Sequence, residues 1–272
     1  MLISGLQKMS LVDFPGKVAC TLFTGGCNLR CPFCHNSELL NAPPAAMTEE
    51  AFFSFLKKRE GLLDGVCVSG GEPCLQKDLP DFLRKLRQMP FAVKLDTNGL
   101  FPAVLRQILE EKLVDYVAMD LKNSPDRFAE TVGLFEMLNL KNAAPSDAST
   151  LADAAPSDSS TGEDVYQKAE PLLAKYRESL ACLFVANTPF ELRTTVVAQF
   201  HDAAAFEGIR DFLLPFARTY GRKAPAYYLQ PFTDRETVPF AGLTAPPKEE
   251  VEAFAKILTS VAETVGIRGI SS

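Results

Sequence analysis

Three closely spaced cysteines are the residues of this chain best suited to chemistry: Cys27, Cys31 and Cys34. They follow the apolar run 18–24 and a Gly-Gly dipeptide, where the chain is expected to turn sharply. Thiolates are soft ligands that suit iron–sulfur clusters or zinc. A closed zinc or [4Fe–4S] site takes four protein ligands. Three cysteines therefore leave one metal position open to a group that is not protein.

Zinc is the alternative reading of the same cysteines. A zinc knuckle would need His35 or His201 as its fourth ligand. His35 adjoins Cys34 and would require a strained loop to close the same site. The cysteine spacing alone leaves both metals open.

The composition excludes several other classes of protein. With 272 residues, 47% hydrophobic and 23% charged, the chain can bury a sizeable core. A net charge of −6 argues against a broad nucleic-acid-binding face, and no apolar run approaches the roughly 20 residues of a membrane span. Seven cysteines, an odd number, do not resemble a disulfide framework, so a reducing cytoplasm is the expected location.

Strands and helices alternate along the chain, which predicts a parallel sheet. Residues 1–17 are predicted to form a small hairpin or an extended lead-in, and Thr48 is predicted to cap the first helix. Apolar runs between turn residues predict strands at 18–24, 65–69, 91–96, 114–121, 192–197 and 225–230. Apolar residues at helical spacing predict helices at 51–58, 79–88, 102–113, 165–185, 202–217 and 247–265.

Polar motifs stand at the ends of the first four predicted strands. The cysteines follow the first strand, Gly70–Pro73 the second, Asp96–Gly99 the third and Asp120–Lys122 the fourth. Because active sites of parallel barrels and open sheets gather at the carboxyl ends of the strands, we expect these motifs to converge on one rim.

A low-complexity segment interrupts the pattern at about 142–162. It consists almost entirely of Ala, Ser, Asp, Pro and Thr. Such a segment cannot bury enough apolar surface to offset its ordering entropy, so we predict a solvent-exposed, disordered insertion.

The cysteine motif, Cys-x-x-x-Cys-x-aromatic-Cys after a first strand, resembles the signature of radical S-adenosylmethionine (SAM) enzymes. Residues 6–37, with SLVDFPGK before the cysteines and His-Asn after them, more narrowly resemble the anaerobic ribonucleoside-triphosphate reductase activating proteins. Those are activases of glycyl-radical enzymes. The resemblance implies an open partial (β/α)6 TIM-like barrel with a short N-terminal extension, as a single domain over 1–272, and six predicted strands agree with that fold.

The resemblance also implies the composition of the site. Cys27, Cys31 and Cys34 would hold a [4Fe–4S] cluster, whose open iron binds the amine and carboxylate of S-adenosylmethionine. A monovalent cation would lie beside the cofactor carboxylate. Predicted cofactor contacts are Phe33 on the adenine, His35, Gly70, Gly71, Glu72 and Pro73 near the amino group, Asp96, Thr97 and Asp120 around the cation, Lys122, and His201.

Several of these residues have a plainer interpretation. An Asp that ends a strand is often a helix cap or turn former. Arg193, on the fifth predicted strand, either reaches a carboxylate of the site or serves an internal ion pair. Cys20, Cys67 and Cys182 are predicted core residues; Cys74, directly after Gly70–Pro73, lies closer to the expected site. These four cysteines are not spaced as a second metal-binding motif.

The resemblance implies reductive cleavage of S-adenosylmethionine and transfer of the radical to a glycine of a partner enzyme. The implied partners are an anaerobic ribonucleotide reductase and a flavodoxin- or ferredoxin-type electron donor. Alternatives are activation of another glycyl-radical enzyme and radical chemistry on a peptide or metabolite. Outside enzymes, an iron–sulfur electron carrier or a zinc-binding module would use the same cysteines.

Overall fold

The computed structural model describes residues 1–134 and 162–269, with the backbone alone for 162–168. The insertion predicted at about 142–162 lies, apart from its last residue, outside the described residues.

One twisted sheet organises the chain. Within the described ranges it contains eight strands, whose order in the sheet is their order in the chain. The first two strands are antiparallel and all later neighbours are parallel. The strands are β1 (Ile3–Ser10), β2 (Ala19–Thr24), β3 (Gly65–Gly70), β4 (Ala92–Thr97), β5 (Tyr116–Asp120), β6 (Phe190–Val196), β7 (Ala224–Pro231) and β8 (Ala262–Ile267).

Helices connect the parallel strands. They are α1 (Glu49–Lys57), α2 (Leu79–Leu86), α3 (Pro102–Glu110), α4 (Phe128–Thr131), α5 (Gly162–Val185), α6 (Ala203–Tyr220) and α7 (Lys248–Leu258). The Thr48 side chain accepts from the Ala51 amide and caps α1, as predicted. Asp202 caps α6 in the same way, and Gly221 ends that helix with φ of +63°. No helix in the described ranges is long and apolar enough to cross a membrane.

The strands bury apolar side chains on one face, and the opposite face carries most of the polar side chains. On β2, Cys20 and Leu22 are fully buried in the core, whereas Thr21 and Phe23 line a cavity on the concave side. The same alternation places Leu95 in the core and Asp96 at the cavity. This period of two follows from strand geometry, and it makes the concave side of the sheet the place for polar chemistry.

The predicted fold class is confirmed: the six predicted strands correspond to β2–β7, and the sheet is open. Two strands were missed. Residues 3–10 pair with β2, where a hairpin or extended lead-in was predicted. The prediction that the last helix reaches Val265 is wrong, because α7 ends at Leu258 and residues 262–267 pair with β7.

A partly buried ion pair ties the end of β8 to β6. Arg268, directly after β8, donates from two nitrogens to the Glu191 carboxylate on β6, both at 2.7 Å. Glu191 is fully buried and also accepts from the Tyr116 hydroxyl at 2.9 Å. These partners are distant in sequence, so helical periodicity in 247–265 carried no sign of them.

Candidate active site

A cavity of about 390 Å³ lies on the concave side of the sheet, at the carboxyl ends of the parallel strands. Strand ends from β2 to β7 contribute to its wall, which is the convergence predicted from the four polar motifs. Among the predicted site residues, those on the wall are Cys27, Cys31, Phe33, Cys34, His35, Gly70, Gly71, Asp96, Thr97, Asp120 and Lys122. Glu72, Pro73 and His201 are not on it.

The loop after β2 carries the three cysteines and is held by backbone hydrogen bonds. Gly26, with φ of +88°, donates to the Leu39 carbonyl at 2.6 Å, and the Cys27 amide donates to Leu40 at 3.3 Å. The Arg30 guanidinium donates to the Cys27 carbonyl at 2.8 Å. The loop therefore has a fixed backbone before any metal is bound.

The three thiols are buried in the cavity wall, and this burial sets their acidity. Burial raises the pKa of the Cys31 thiol to about 12 and also raises the pKa of Cys27 and of Cys34. The positive charge of Lys122 acts in the opposite direction on all three, while the thiolates disfavour one another. Ionisation of all three thiols therefore requires a strongly cationic group between them.

Two carboxylates below the cysteines are enclosed by cations. Arg193 bridges them, with Nε at 2.8 Å from Asp120 Oδ1 and Nη1 at 3.4 Å from Asp96 Oδ2. Lys122 Nζ lies 2.8 Å from Asp120 Oδ2, and Lys94 Nζ lies 2.5 Å from Asp96 Oδ1. Burial alone would raise the pKa of both carboxyls, but these positive charges outweigh it and hold both below their usual range.

Comparison with known proteins agrees with this geometry. Residues 21–138 match the Radical SAM superfamily. A Methanocaldococcus jannaschii protein named for glycyl-radical enzyme activation is 29% identical over 273 residues, 99% of this chain and 97% of the relative. A pyruvate formate-lyase-activating enzyme of Clostridium pasteurianum is 34% identical over 130 residues, 46% of this chain and 53% of that enzyme. The chain therefore contains a radical SAM domain, which the match places at residues 21–138.

The fold of a solved structure is also similar. SuiB from Streptococcus suis, at 13% sequence identity, aligns with a TM-score of 0.53 over 90% of this chain and 47% of that one. At such low identity the likeness concerns the fold alone. The radical SAM domain, together with the similarity to activating enzymes, identifies this chain as an enzyme.

The donor set of the cavity fits the [4Fe–4S] cluster and S-adenosylmethionine that the superfamily implies. Three sulfur donors share one wall, and their burial favours thiolates only when iron neutralises them. No three Cys, His, Asp or Glu side chains in the described ranges are grouped to hold a single metal ion. Cys27, Cys31 and Cys34 would hold the cluster, and the excess positive charge around Lys122 and Arg193 suits the carboxylate of the cofactor.

The two glycines at the end of β3, Gly70 and Gly71, are required by packing. A Cβ on Gly70, whose φ is +117°, would lie 2.3 Å from the Thr24 nitrogen. A Cβ on Gly71 would lie 2.1 Å from the Gly26 carbonyl oxygen. Both contacts are with backbone of the preceding strand or cysteine loop. These two glycines therefore let the end of β3 pack against β2 and the cysteine loop.

Glu72 connects two strand ends and is fully buried. Its carboxylate accepts from the Cys74 amide at 2.9 Å, the Thr97 hydroxyl at 2.8 Å and the Asn98 amide at 2.6 Å. Pro73 is buried beside it. A direct contact of Glu72 with the cofactor amine stays a prediction, but the hydrogen bonds give it a second role in fixing the end of β4.

His35 is held by the segment that follows β7. Its Nε2 lies 2.7 Å from the Thr233 carbonyl, and its ring stacks on Phe232 with centroids 5.5 Å apart. The Thr237 hydroxyl donates to the His35 carbonyl at 2.8 Å. Burial lowers the pKa of His35, which favours the neutral ring. The His35 side chain thus anchors residues 232–238 over the cavity. The predicted contact of His35 with the cofactor would then involve its backbone or the face of its ring.

Two further predicted residues take unexpected neighbours. Phe33 is buried and packs against Phe200, with ring centroids 5.9 Å apart. His201 is buried behind the wall, where Nε2 lies 2.9 Å from the Lys122 carbonyl and Nδ1 contacts Val197. In this position His201 fixes the backbone that carries Lys122.

The cavity wall also includes polar residues that the sequence reasoning did not single out: Asp13, Thr21, Ser69, Thr195, Gln230 and Arg235. Ser69 lies two positions before Gly71, and Thr195 lies two positions after Arg193. Since side chains two positions apart on a strand share a face, this alternation could have identified both residues. Asp13 comes from the β1–β2 connection, and its Oδ2 accepts from the Thr21 hydroxyl at 2.5 Å. Nothing in the local pattern predicts that contact.

Proposed function

We propose that this radical SAM enzyme generates a glycyl radical on a partner enzyme, and that the partner is an anaerobic ribonucleoside-triphosphate reductase. The observation that carries the proposal is the grouping of Cys27, Cys31 and Cys34 with the Asp96–Arg193–Asp120 network on one cavity wall. The relative from Methanocaldococcus jannaschii, which matches along 99% of this chain, supports glycyl-radical activation. The resemblance of residues 6–37 supports the choice of reductase.

When bound, the reduced cluster supplies one electron that cleaves S-adenosylmethionine to methionine and a 5′-deoxyadenosyl radical. The chain itself positions this chemistry. Arg30 fixes the cysteine loop, His201 fixes Lys122, and Arg193 joins the ends of β4 and β5. The electron is proposed to come from a flavodoxin- or ferredoxin-type donor in a reducing cytoplasm, in keeping with the seven free cysteines.

Two finer points belong to the same proposal. Residues 1–272 form a single radical SAM domain. Asp96, Thr97, Asp120 and Lys122 contact the cofactor along with Gly70 and Gly71, for which their place on the cavity wall is the support. The monovalent cation that the resemblance implies beside Asp96, Thr97 and Asp120 is not part of this proposal.

Anaerobic reconstitution, dithionite reduction and addition of S-adenosylmethionine test the proposal. Wild-type protein should bind about four irons and release 5′-deoxyadenosine. Added anaerobic ribonucleotide reductase should then develop a glycyl-radical signal in electron paramagnetic resonance, whereas pyruvate formate-lyase should not.

The matched variants are Cys31→Ala and Cys182→Ala. The first should lose both cluster and nucleoside release, because Cys31 lies on the cavity wall; the second should keep both, because Cys182 packs at the edge of the core. Cleavage without radical transfer to the reductase would reject the partner, and the opposite behaviour of the two variants would reject the ligand assignment.

A further inference from the structure

Lys94 is a fully buried charged residue on the same face of β4 as Asp96. It stands in the middle of β4 and is 1% exposed. Its ammonium lies 2.5 Å from Asp96 Oδ1 and 3.9 Å from the sulfur of Cys67. Burying an ammonium is costly unless it is paired. Its position directly behind Asp96 suggests that the ion pair serves the site.

The carboxylate oxygens that a monovalent cation would use already have partners. Asp96 Oδ1 contacts Lys94, while Asp96 Oδ2 accepts from Ser69 at 3.0 Å and faces Arg193 at 3.4 Å. Asp120 Oδ1 accepts from Arg193 and Oδ2 from Lys122, both at 2.8 Å. Two negative charges therefore face three positive charges. The donor set does not fit a further cation, because it would be repelled and would find no uncommitted carboxylate oxygen.

We propose that Lys94 takes the place of the monovalent cation. Its ammonium keeps Asp96 ionised and oriented toward Arg193, so that the site binds the cofactor carboxylate without K⁺ or Na⁺. Lys94 is not on the cavity wall and acts through Asp96, as a positioning residue. The proposal rests on the proposed function, since S-adenosylmethionine is the ligand that the site is expected to bind.

Removal of the ammonium should create the cation site that the wild type lacks. Lys94→Ala frees Asp96 Oδ1 and leaves a space as long as a lysine side chain beside it. Oxygen ligands in such a space suit a hard monovalent cation. Lys94→Met removes the charge but fills the space, so it should not admit the ion. The two variants therefore separate the charge of Lys94 from its volume.

The test measures binding of radiolabelled S-adenosylmethionine to reconstituted protein by equilibrium dialysis. KCl at about 0.1 M is compared with an equal concentration of tetramethylammonium chloride, so that screening is constant. The wild type should bind equally in both salts. Lys94→Ala should bind about tenfold more weakly without K⁺ and recover with it, and Lys94→Met should stay weak in both. Lys85→Ala is the matched control, because Lys85 pairs with Glu49 at 2.7 Å on the surface.

Sodium-23 magnetic resonance of the same proteins supplies a second readout that does not involve S-adenosylmethionine. Line broadening that K⁺ reverses should occur with Lys94→Ala and not with the wild type or Lys85→Ala. A wild type that binds Na⁺, or whose cofactor binding requires K⁺, would overturn the proposal. So would a Lys94→Ala protein that ignores K⁺. A wild type that binds no S-adenosylmethionine would reject the proposed function, and the sodium measurement would still decide the role of Lys94.

Discussion

Substitution of Gly71 by alanine tests whether the glycines at the end of β3 serve packing or ligand approach. Gly71 does not have a positive φ, so alanine introduces no backbone strain there. The new Cβ would lie 2.1 Å from the Gly26 oxygen and 2.7 Å from the Gly26 carbon. Those atoms belong to backbone that precedes Cys27 directly. The collision is therefore transmitted to the loop that carries the cluster ligands.

The size of the effect follows from these distances. Real Cβ contacts are essentially never shorter than 3.0 Å, so the Gly26 carbonyl must move by about 0.9 Å. That carbonyl accepts from the Glu72 amide at 2.8 Å, and the movement breaks this bond. Overpacking of about 1–3 kcal/mol plus a lost hydrogen bond of about 1 kcal/mol gives a loss of roughly 2–4 kcal/mol. Metal sites tolerate ligand shifts of only about 0.2 Å, so cluster binding should fall as well.

The assay measures Tm of the cluster-free protein and iron content after anaerobic reconstitution. Gly71→Ala should lower Tm by roughly 5–15 °C and retain less than about half of the wild-type iron. The control is Gly5→Ala, because a Cβ on Gly5 would meet Phe23 at an ordinary 3.5 Å and Gly5 also lacks a positive φ. That variant should match the wild type in iron content and lose little or no stability.

One result would refute the reasoning. If Gly71→Ala keeps wild-type Tm and iron but loses affinity for S-adenosylmethionine, the glycine is needed for close approach of the ligand, and the packing explanation is wrong.

Two further predictions concern the cysteines and the segment after β7. Burial raises the pKa of Cys31 to about 12 from an ordinary 9.0, so the folded cluster-free protein keeps a proton that the unfolded chain releases. Its free energy of unfolding should therefore fall as the pH rises from about 9 towards 12; urea denaturation at several pH values checks this, and a flat profile would contradict it. His35→Ala removes the contacts with Thr233 and Phe232 and should speed amide hydrogen exchange in residues 232–238 without loss of iron. Unchanged exchange there would mean that other contacts hold the segment.

The central part of the fold could be predicted from the sequence because its signals are local. Each of the strands β2–β7 is a short apolar run bounded by turn residues, and Thr48 precedes acids in the first turn of α1. The outer strands could not be predicted in this way. β1 has mostly half-exposed or exposed residues, and β8 follows α7 after a short turn, so both depend on a partner strand for their conformation.

The candidate site divides in the same manner. The motifs at four strand ends predicted one rim, since parallel strands deliver their carboxyl ends to one edge. The contacts of individual residues could not be predicted from the sequence. Asp13, which precedes β2, lines the cavity. Glu72 accepts a hydrogen bond from Thr97 at the end of β4, and His201 contacts the Lys122 carbonyl from behind the wall.

The sequence by itself determined the chemistry available to this protein: three soft ligands at short spacing and a strand–helix alternation that brings polar motifs to one rim. Ligand type and periodicity are properties of neighbouring residues, so no tertiary contact is needed to recognise them. Only the tertiary structure decided which cations pair with which carboxylates at the site. Asp96 is paired with Lys94 two residues away and with Arg193 on β6, which is 97 residues distant. The pairing with Arg193 depends on the packing of β4, β5 and β6 side by side, and that packing fixes which carboxylates Arg193 bridges.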